Sequence, residues 1–293
     1  MGATYKMIYL DHAATTAVYP EVIREMTPYL HDYYYNPSSS YKEGRLLHKK
    51  LDQIRTVLAG GIHAKPQEII FTSGGTESDN WVLVNAARSL CGKGRHIITS
   101  AIEHHAILHT CHFLENCGFD LTYLPVNREG FVEPAVLEKA IRPDTILISV
   151  MYANNEIGTI EPIKEIGEIA KKHGILFHTD AVQAFCHVPI NVDECHIDML
   201  SSSAHKLNGP KGTGFLYIRT GLKTRSFIHG GAQERKRRAG TENVPGIVGM
   251  GEAARLAQEN MEKNMASVSA VRNHLIERIE AEIPYAKLNG HRT

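Results

Sequence analysis

The stretch Ile163-Lys-Glu-Ile-Gly-Glu-Ile-Ala-Lys-Lys-His-Gly-Ile-Leu-Phe-His-Thr-Asp-Ala-Val-Gln183 joins an amphipathic run to a short apolar one. The spacing predicts a helix over 163–173 and a strand over 175–179. Upstream the same alternation repeats. Strands are expected over 68–72, 96–100, 121–124 and 145–150, with helices over 77–90, from after residue 100 to about 117, and over 134–140. Two further strands, around 197–200 and 215–218, bracket Ser201-Ser-Ser-Ala-His-Lys-Leu-Asn-Gly-Pro-Lys-Gly-Thr-Gly214. Strands alternating with helices argue for an α/β fold, a mostly parallel sheet flanked by helices on both faces. From 245 to 283 a long helical pattern follows, one helix or two.

The chain has 293 residues, 43% hydrophobic and 22% charged, as in an ordinary soluble globular protein. Thirty-two basic residues balance thirty-two acidic ones, which argues against a nucleic-acid or membrane-surface partner. No apolar run approaches the roughly 20 residues that span a bilayer, and the first residues lack signal-peptide anatomy. The five cysteines are odd in number and form no Cys-x-x-Cys pair. They read as reduced thiols, and a cytoplasmic location is expected.

In such sheets ligands gather outside the carboxyl ends of the strands. After the 68–72 strand comes Thr72-Ser-Gly-Gly-Thr-Glu-Ser-Asp-Asn80, a Gly-rich turn opening a helix. Free N–H groups, the helix dipole and the hydroxyls of Thr76 and Ser78 could take an anion there, although a plain helix cap would look the same. The Walker-type lysine loop is absent, so a nucleoside triphosphate is disfavoured. After the next strand His104 could stack on a flat ligand or move protons. His105, His109 and His112 share a helical face, but without carboxylate partners they read as polar surface, and no metal is expected. Asp180 follows a buried-looking strand; it is either a helix cap or a counter-ion for a ligand's positive nitrogen. Lys206 is either a surface lysine on a connector or a desolvated amine able to form a Schiff base with a carbonyl. Taken together, an anion turn, a stackable imidazole, a buried acid and a buried lysine at strand ends describe pyridoxal 5'-phosphate.

With these residues in view, the chain resembles the cysteine desulfurases of the class V aminotransferase group, which have the type I pyridoxal-phosphate fold. The resemblance is carried in order by Tyr9-Leu-Asp-His-Ala-Ala-Thr-Thr16, Asn36-Pro-Ser-Ser39, Phe71-Thr-Ser-Gly-Gly-Thr-Glu-Ser-Asp-Asn80, Glu103-His104, Asn154-Asn-Glu-Ile-Gly158, His178-Thr-Asp-Ala-Val-Gln183, Ser203-Ala-His-Lys206, Gly209-Pro-Lys-Gly212 and Arg237-Arg-Ala-Gly-Thr-Glu-Asn243. It implies that Lys206 takes the cofactor's aldehyde, Asp180 pairs with the ring nitrogen, and His104 stacks on the ring and moves protons. Asn155 and Gln183 would lie beside the phenolic oxygen and the substrate. Gly75, Thr76, Ser203 and His205 would hold the phosphate, and Thr241 would reach it from the other subunit of a homodimer. The basic run 233–238 then reads as interface rather than a nucleic-acid patch. The implied reaction removes sulfur from L-cysteine, gives L-alanine and passes sulfur through a protein persulfide to an acceptor or iron–sulfur scaffold protein.

The resemblance also sets a domain division: an N-terminal segment (1–15), a cofactor-binding large domain (16–245), and a helical segment (246–293) leading into a small domain largely missing from the chain. The sulfur-accepting cysteine and the arginine for the substrate carboxylate belong to that small domain, so this fragment is expected to be inactive or nearly so. None of the five cysteines reads as the acceptor. Position 41 is Tyr where the resemblance calls for His. A selenocysteine or cysteine lyase of the same group, or a non-catalytic dimerising scaffold, would share most of these features.

Overall fold

The computed structural model describes residues 8–292. Residues 1–7 of the expected 1–15 segment, and Thr293, lie outside the described residues. The helices are α1 (Pro20–Met26), α2 (Pro28–His31), α3 (Lys42–Gly60), α4 (Gly75–Leu90), α5 (His105–Asn116), α6 (Pro134–Ala140), α7 (Ile163–His173), the single turn α8 (Gln233–Lys236), α9 (Val244–Glu259) and α10 (Met261–Glu282). The strands are β1 (Ile69–Thr72), β2 (His96–Ser100), β3 (Asp120–Leu124), β4 (Thr145–Ser149), β5 (Leu176–Asp180), β6 (Met199–Ser203) and β7 (Gly214–Ile218).

Seven strands form one sheet in the order β1-β7-β6-β5-β4-β2-β3. The pairings from β6 through β3 are parallel, as the strand–helix alternation requires. β7 runs antiparallel and lies between β1 and β6, pairing Ile69 with Tyr217 and Met199 with Ile218. Every residue of β1, β2, β6 and β7 is buried, so these strands have no exposed face and show no alternation of apolar and polar positions.

The strands supply a core on each face. Ile70, Ile97, Leu147, Met199 and Leu216 pack with Trp81, Leu83 and Ala87 of α4 and Ile107 and Leu114 of α5. The opposite side chains, among them Phe71, Ile98, Ile148, Phe177, Leu200 and Phe215, meet Leu51, Ile54 and Leu58 of α3, Ile166 of α7 and Ile247, Val248 and Met250 of α9. α7 ends as its sequence dictates: Lys171, Lys172 and His173 oppose the negative dipole end, and Gly174 takes the left-handed conformation at φ 65°.

The long C-terminal pattern resolves into two helices that break at Asn260, where φ is −113° and ψ 8°. α9 is packed into the core. α10 buries no residue and carries exposed Val268, Val271 and Leu275 along its length. Among the described residues no helix is long and apolar enough to cross a membrane.

Candidate active site

The carboxyl ends of β1, β4, β5 and β6 open onto a cleft of about 480 Å³. Lys206 reaches it from a single helical turn, Ala204–Lys206, that follows β6 directly. Its Nζ donates to Ala14 O at 2.9 Å and also to Ala13 O. Those carbonyls belong to a segment tied down by Thr16, whose N–H and Oγ1 both donate to His205 O, at 3.0 and 2.8 Å. Thr16 Oγ1 in turn accepts from Asn208 N at 2.8 Å. Burial lowers the Lys206 pKa, while the charges of Asp180, Asp11 and Glu156 oppose that shift. A lowered pKa brings the free amine, the nucleophilic form, closer to hand.

Asp180 closes β5 and is 5% exposed. Its Oδ1 accepts from Val182 N at 2.9 Å, so the turn-capping geometry exists alongside the open side of the carboxylate that lines the cleft. Burial raises its pKa; the Val182 hydrogen bond and the electrostatic influence of His104 and Lys206 work the other way.

Beneath the cleft lie groups that sequence reasoning missed. Asp79 of α4 is 1% exposed, lines the cleft, and its Oδ1 has no hydrogen-bond partner. Burial first, and then the nearby Asp180, push its carboxyl well above the usual range. Residues 75 and 79 are one helical turn apart, so Asp79 sits under the Gly-rich turn. His178 lies 3.7 Å away, between the hydroxyls of Ser149 (2.9 Å) and Ser201 (3.0 Å). Burial pushes this imidazole down to about 3, so it is neutral. Glu103 accepts from Ser100 Oγ at 2.6 Å and Met151 N at 2.8 Å, and burial pushes its carboxyl up to about 8. The floor is therefore dry and acidic, suited to a cationic ring nitrogen.

At the other end the β1–α4 turn needs its glycines. Gly74 has φ +144°, and a Cβ at Gly75 would stand 2.6 Å from Val182 Cγ2. Gly75, Thr76, Ser203 and His205 converge there, and the cleft continues into a second lobe of about 390 Å³ that adds Ser73, Glu77 and Lys211. The His205 ring lies 3.2 Å from Thr15 Oγ1; burial, then Lys206 and Lys211, lower its pKa. The expectation that Ser78 adds a donor fails. Its hydroxyl is fully buried and turns back onto Gly74 O at 3.1 Å and Thr72 Oγ1 at 2.9 Å.

His104, Asn155 and Gln183 also line the cleft. His104 caps α5 by accepting from Ala106 N at 3.1 Å on Nδ1. Gln183 Nε2 donates to Ala13 O at 3.0 Å. Nine of the ten predicted residues therefore share one cleft. The tenth, Thr241, is exposed and does not line it.

His105 and His109 stack loosely with ring centroids 5.1 Å apart, and His112 lies 3.2 Å from Glu115. Among the described residues no group of three or more such side chains is placed to hold a metal ion. None of the five cysteines lines the cleft; Cys111 and Cys186 are buried. Tyr41 packs edge-on against Tyr35 at the start of α3, away from the cleft.

A desolvated amine, a buried acid and a ring of turn N–H groups fit an aldehyde, a protonated ring nitrogen and a phosphate on one flat molecule. The unpartnered Asp79 oxygen fits the same charge pattern. The family described as aminotransferase class-V matches residues 8–293. A cysteine desulfurase IscS from Dictyoglomus turgidum is 54% identical over 286 residues, 98% of this chain and 73% of that protein. One from Methanosarcina thermophila is 56% identical over 288 residues, 98% of this chain and 71% of that protein. Among solved structures a NifS-like protein superposes with a TM-score of 0.91 at 40% identity, covering 94% of this chain and 76% of its own. The structure described as SspA in complex with cysteine gives 0.87 at 40% identity, covering 97% and 81%. This chain thus spans about three quarters of the length of these relatives, and it belongs to the class-V aminotransferase family, within its cysteine desulfurase group, whose members depend on pyridoxal phosphate.

Proposed function

We propose that this chain carries the cofactor and substrate machinery of a cysteine desulfurase, which takes sulfur from L-cysteine and leaves L-alanine. The observation that carries this reading is the placement of Lys206 and Asp180 at the ends of neighbouring strands β6 and β5, in one cleft. Bound there, pyridoxal phosphate supplies an aldehyde for the substrate amine and an electron-poor ring that takes up charge from the substrate's α-carbon.

The rest is work for the protein. Asp180 holds positive charge on the ring nitrogen, which keeps the ring electron-poor. Burial around Asp79, Asp180 and Glu103 keeps water away, so that ion pair is strong. Gly75, Thr76, Ser203 and His205 hold the phosphate, and Asn155 and Gln183 hold the ring edge and the substrate. Lys206 would remove the proton from the α-carbon and later return protons to the carbon that loses sulfur and to the α-carbon itself. His104 covers the ring and exchanges protons with the substrate.

We assign the domain that holds the cofactor to 16–245 and read α10 as part of the segment leading to a smaller second domain. Thr241, exposed beyond α8, is the residue we assign to the phosphate of a second copy in a homodimer. With none of the five cysteines in the cleft, the sulfur-accepting thiol must be supplied from elsewhere, and sulfur passes from it to an acceptor such as an iron–sulfur scaffold. The neutral charge balance and unpaired thiols fit a cytoplasmic enzyme.

Titration of the purified chain with pyridoxal phosphate tests the reading. The cofactor's visible absorption band should shift on binding, and Lys206→Ala should abolish that shift. The loaded chain should then release almost no alanine from L-cysteine. No shift with the parent chain removes the cofactor assignment; alanine release at the rate of an intact desulfurase removes the claim that the acceptor lies elsewhere.

A further inference from the structure

Glu77 stands in the first turn of α4, in the lobe where the phosphate end of the cleft opens. It is an odd position for a carboxylate. Its side chain is 9% exposed, and Oε2 accepts from Ser73 N at 2.8 Å, which fixes the turn just ahead of Gly74 and Gly75. Burial alone would favour the neutral acid. Arg238 and Ser73 outweigh it and hold the carboxyl below the usual range, so Glu77 is ionised. An anion beside a phosphate subsite repels the ligand that the turn is built to receive.

Arg238 answers that charge. Its Nε lies 2.9 Å from Glu77 Oε1 and its Nη2 3.0 Å from Oε2, a two-pronged match. The strap that delivers Arg238 is itself anchored. Glu234, Arg235 and Lys236 are left-handed, at φ 43°, 57° and 66°. The Glu234 carboxylate is buried against Arg55 Nη2 at 2.5 Å and Phe71 N at 3.0 Å. Arg235 donates to Gln67 O at 2.7 Å. Two arginines of the basic run are thus spent on internal partners.

We infer that Arg238 is a positioning residue for the phosphate end of the cleft: it cancels the Glu77 charge and so lets Glu77 shape the β1–α4 turn without repelling a phosphate. This rests on the cofactor reading given above and adds a residue to it. The effect is electrostatic, so it should follow the ligand's phosphate rather than its ring.

The test measures equilibrium binding of pyridoxal phosphate and of pyridoxal, which lacks the phosphate. The proteins are the parent chain, Arg238→Ala, Glu77→Gln and the double variant. Arg238→Ala should weaken pyridoxal phosphate roughly tenfold or more and pyridoxal less than about threefold. Glu77→Gln keeps an acceptor for Ser73 N and should bind at least as well as the parent. The double variant should return to within about threefold of the parent. Arg238→Met, which preserves bulk, replaces Arg238→Ala if a circular-dichroism melt shows the latter unfolded. Equal weakening of both ligands, or a double variant as weak as the single one, overturns the proposal. A parent chain that binds neither ligand overturns the cofactor reading itself, a distinguishable result.

Discussion

Replacing Arg55 with Met isolates one of the few charges sealed inside this fold. The Arg55 side chain is 7% exposed and that of Glu234 3%. Arg55 also stacks on Phe71, with Cζ 4.5 Å from the ring centroid. Met refills most of the volume, so the main cost is an unpaired buried carboxylate, about 3–5 kcal/mol. Loss of the stacking adds about 1 kcal/mol. A total of about 4–6 kcal/mol lowers the melting temperature by roughly 8 °C or more at this chain length.

The pH dependence carries the sharper test. Burial already holds the Glu234 carboxyl above its usual value, and Arg55 is the strongest influence pulling it down. Without Arg55 the folded-state pKa rises further. A carboxyl whose pKa is raised on folding takes up a proton, so its contribution is complete below the unfolded value, about 4.3, and is lost as pH climbs through the folded one. The deficit of Arg55→Met should therefore be largest near pH 8 and shrink at pH 5.5. Urea unfolding followed by circular dichroism at both pH values measures it, with Arg55→Met/Glu234→Gln expected to regain most of the loss. A deficit below about 1 kcal/mol, or one equal at both pH values, refutes the argument.

Two further outcomes are expected. Burial pushes the thiols of Cys111 and Cys186 up to about 12, whereas Cys91 and Cys117 are exposed; a disulfide reagent at pH 8 should label Cys91 and Cys117 quickly and Cys111 and Cys186 only after unfolding. Gly214→Ala would place a Cβ 2.4 Å from Ser202 O and 2.6 Å from Gly74 Cα, contacts with backbone that cannot rotate away. Urea unfolding should show a loss of about 2 kcal/mol or more, and an unchanged midpoint would contradict this close approach of β7 to the Gly-rich turn.

Local periodicity carried most of the architecture. The run 163–179 announces α7 and β5 because helix and strand spacings differ within a few residues. The antiparallel placement of β7 has no such local sign: Gly214–Ile218 reads as a buried strand in either direction, and only its pairing with β1 decides. The nine predicted residues that share the cleft were legible because each lies at or just beyond the carboxyl end of a strand. Asp79 was not, because it points down from a helix whose own pattern is satisfied without it. Ser78 failed for the same reason in reverse, since its hydroxyl is consumed by backbone that the sequence does not bring into view. The Glu77–Arg238 pair joins residues 161 positions apart, a distance at which spacing says nothing.

The insertion of β7 between β1 and β6 also has a consequence for the order in which the molecule can be made. β1 is complete at Thr72, yet its only sheet partner among the described residues begins at Gly214, roughly 140 residues later. At ribosomal rates of 5–20 residues per second that is a wait of roughly seven to thirty seconds. Throughout it the nascent β1, apolar on both faces, must be shielded by helices or chaperones, and Lys206 emerges only near the end of the interval. The cleft therefore cannot form on a half-made chain; it closes when the strand arriving last in sequence slides in between β1 and β6.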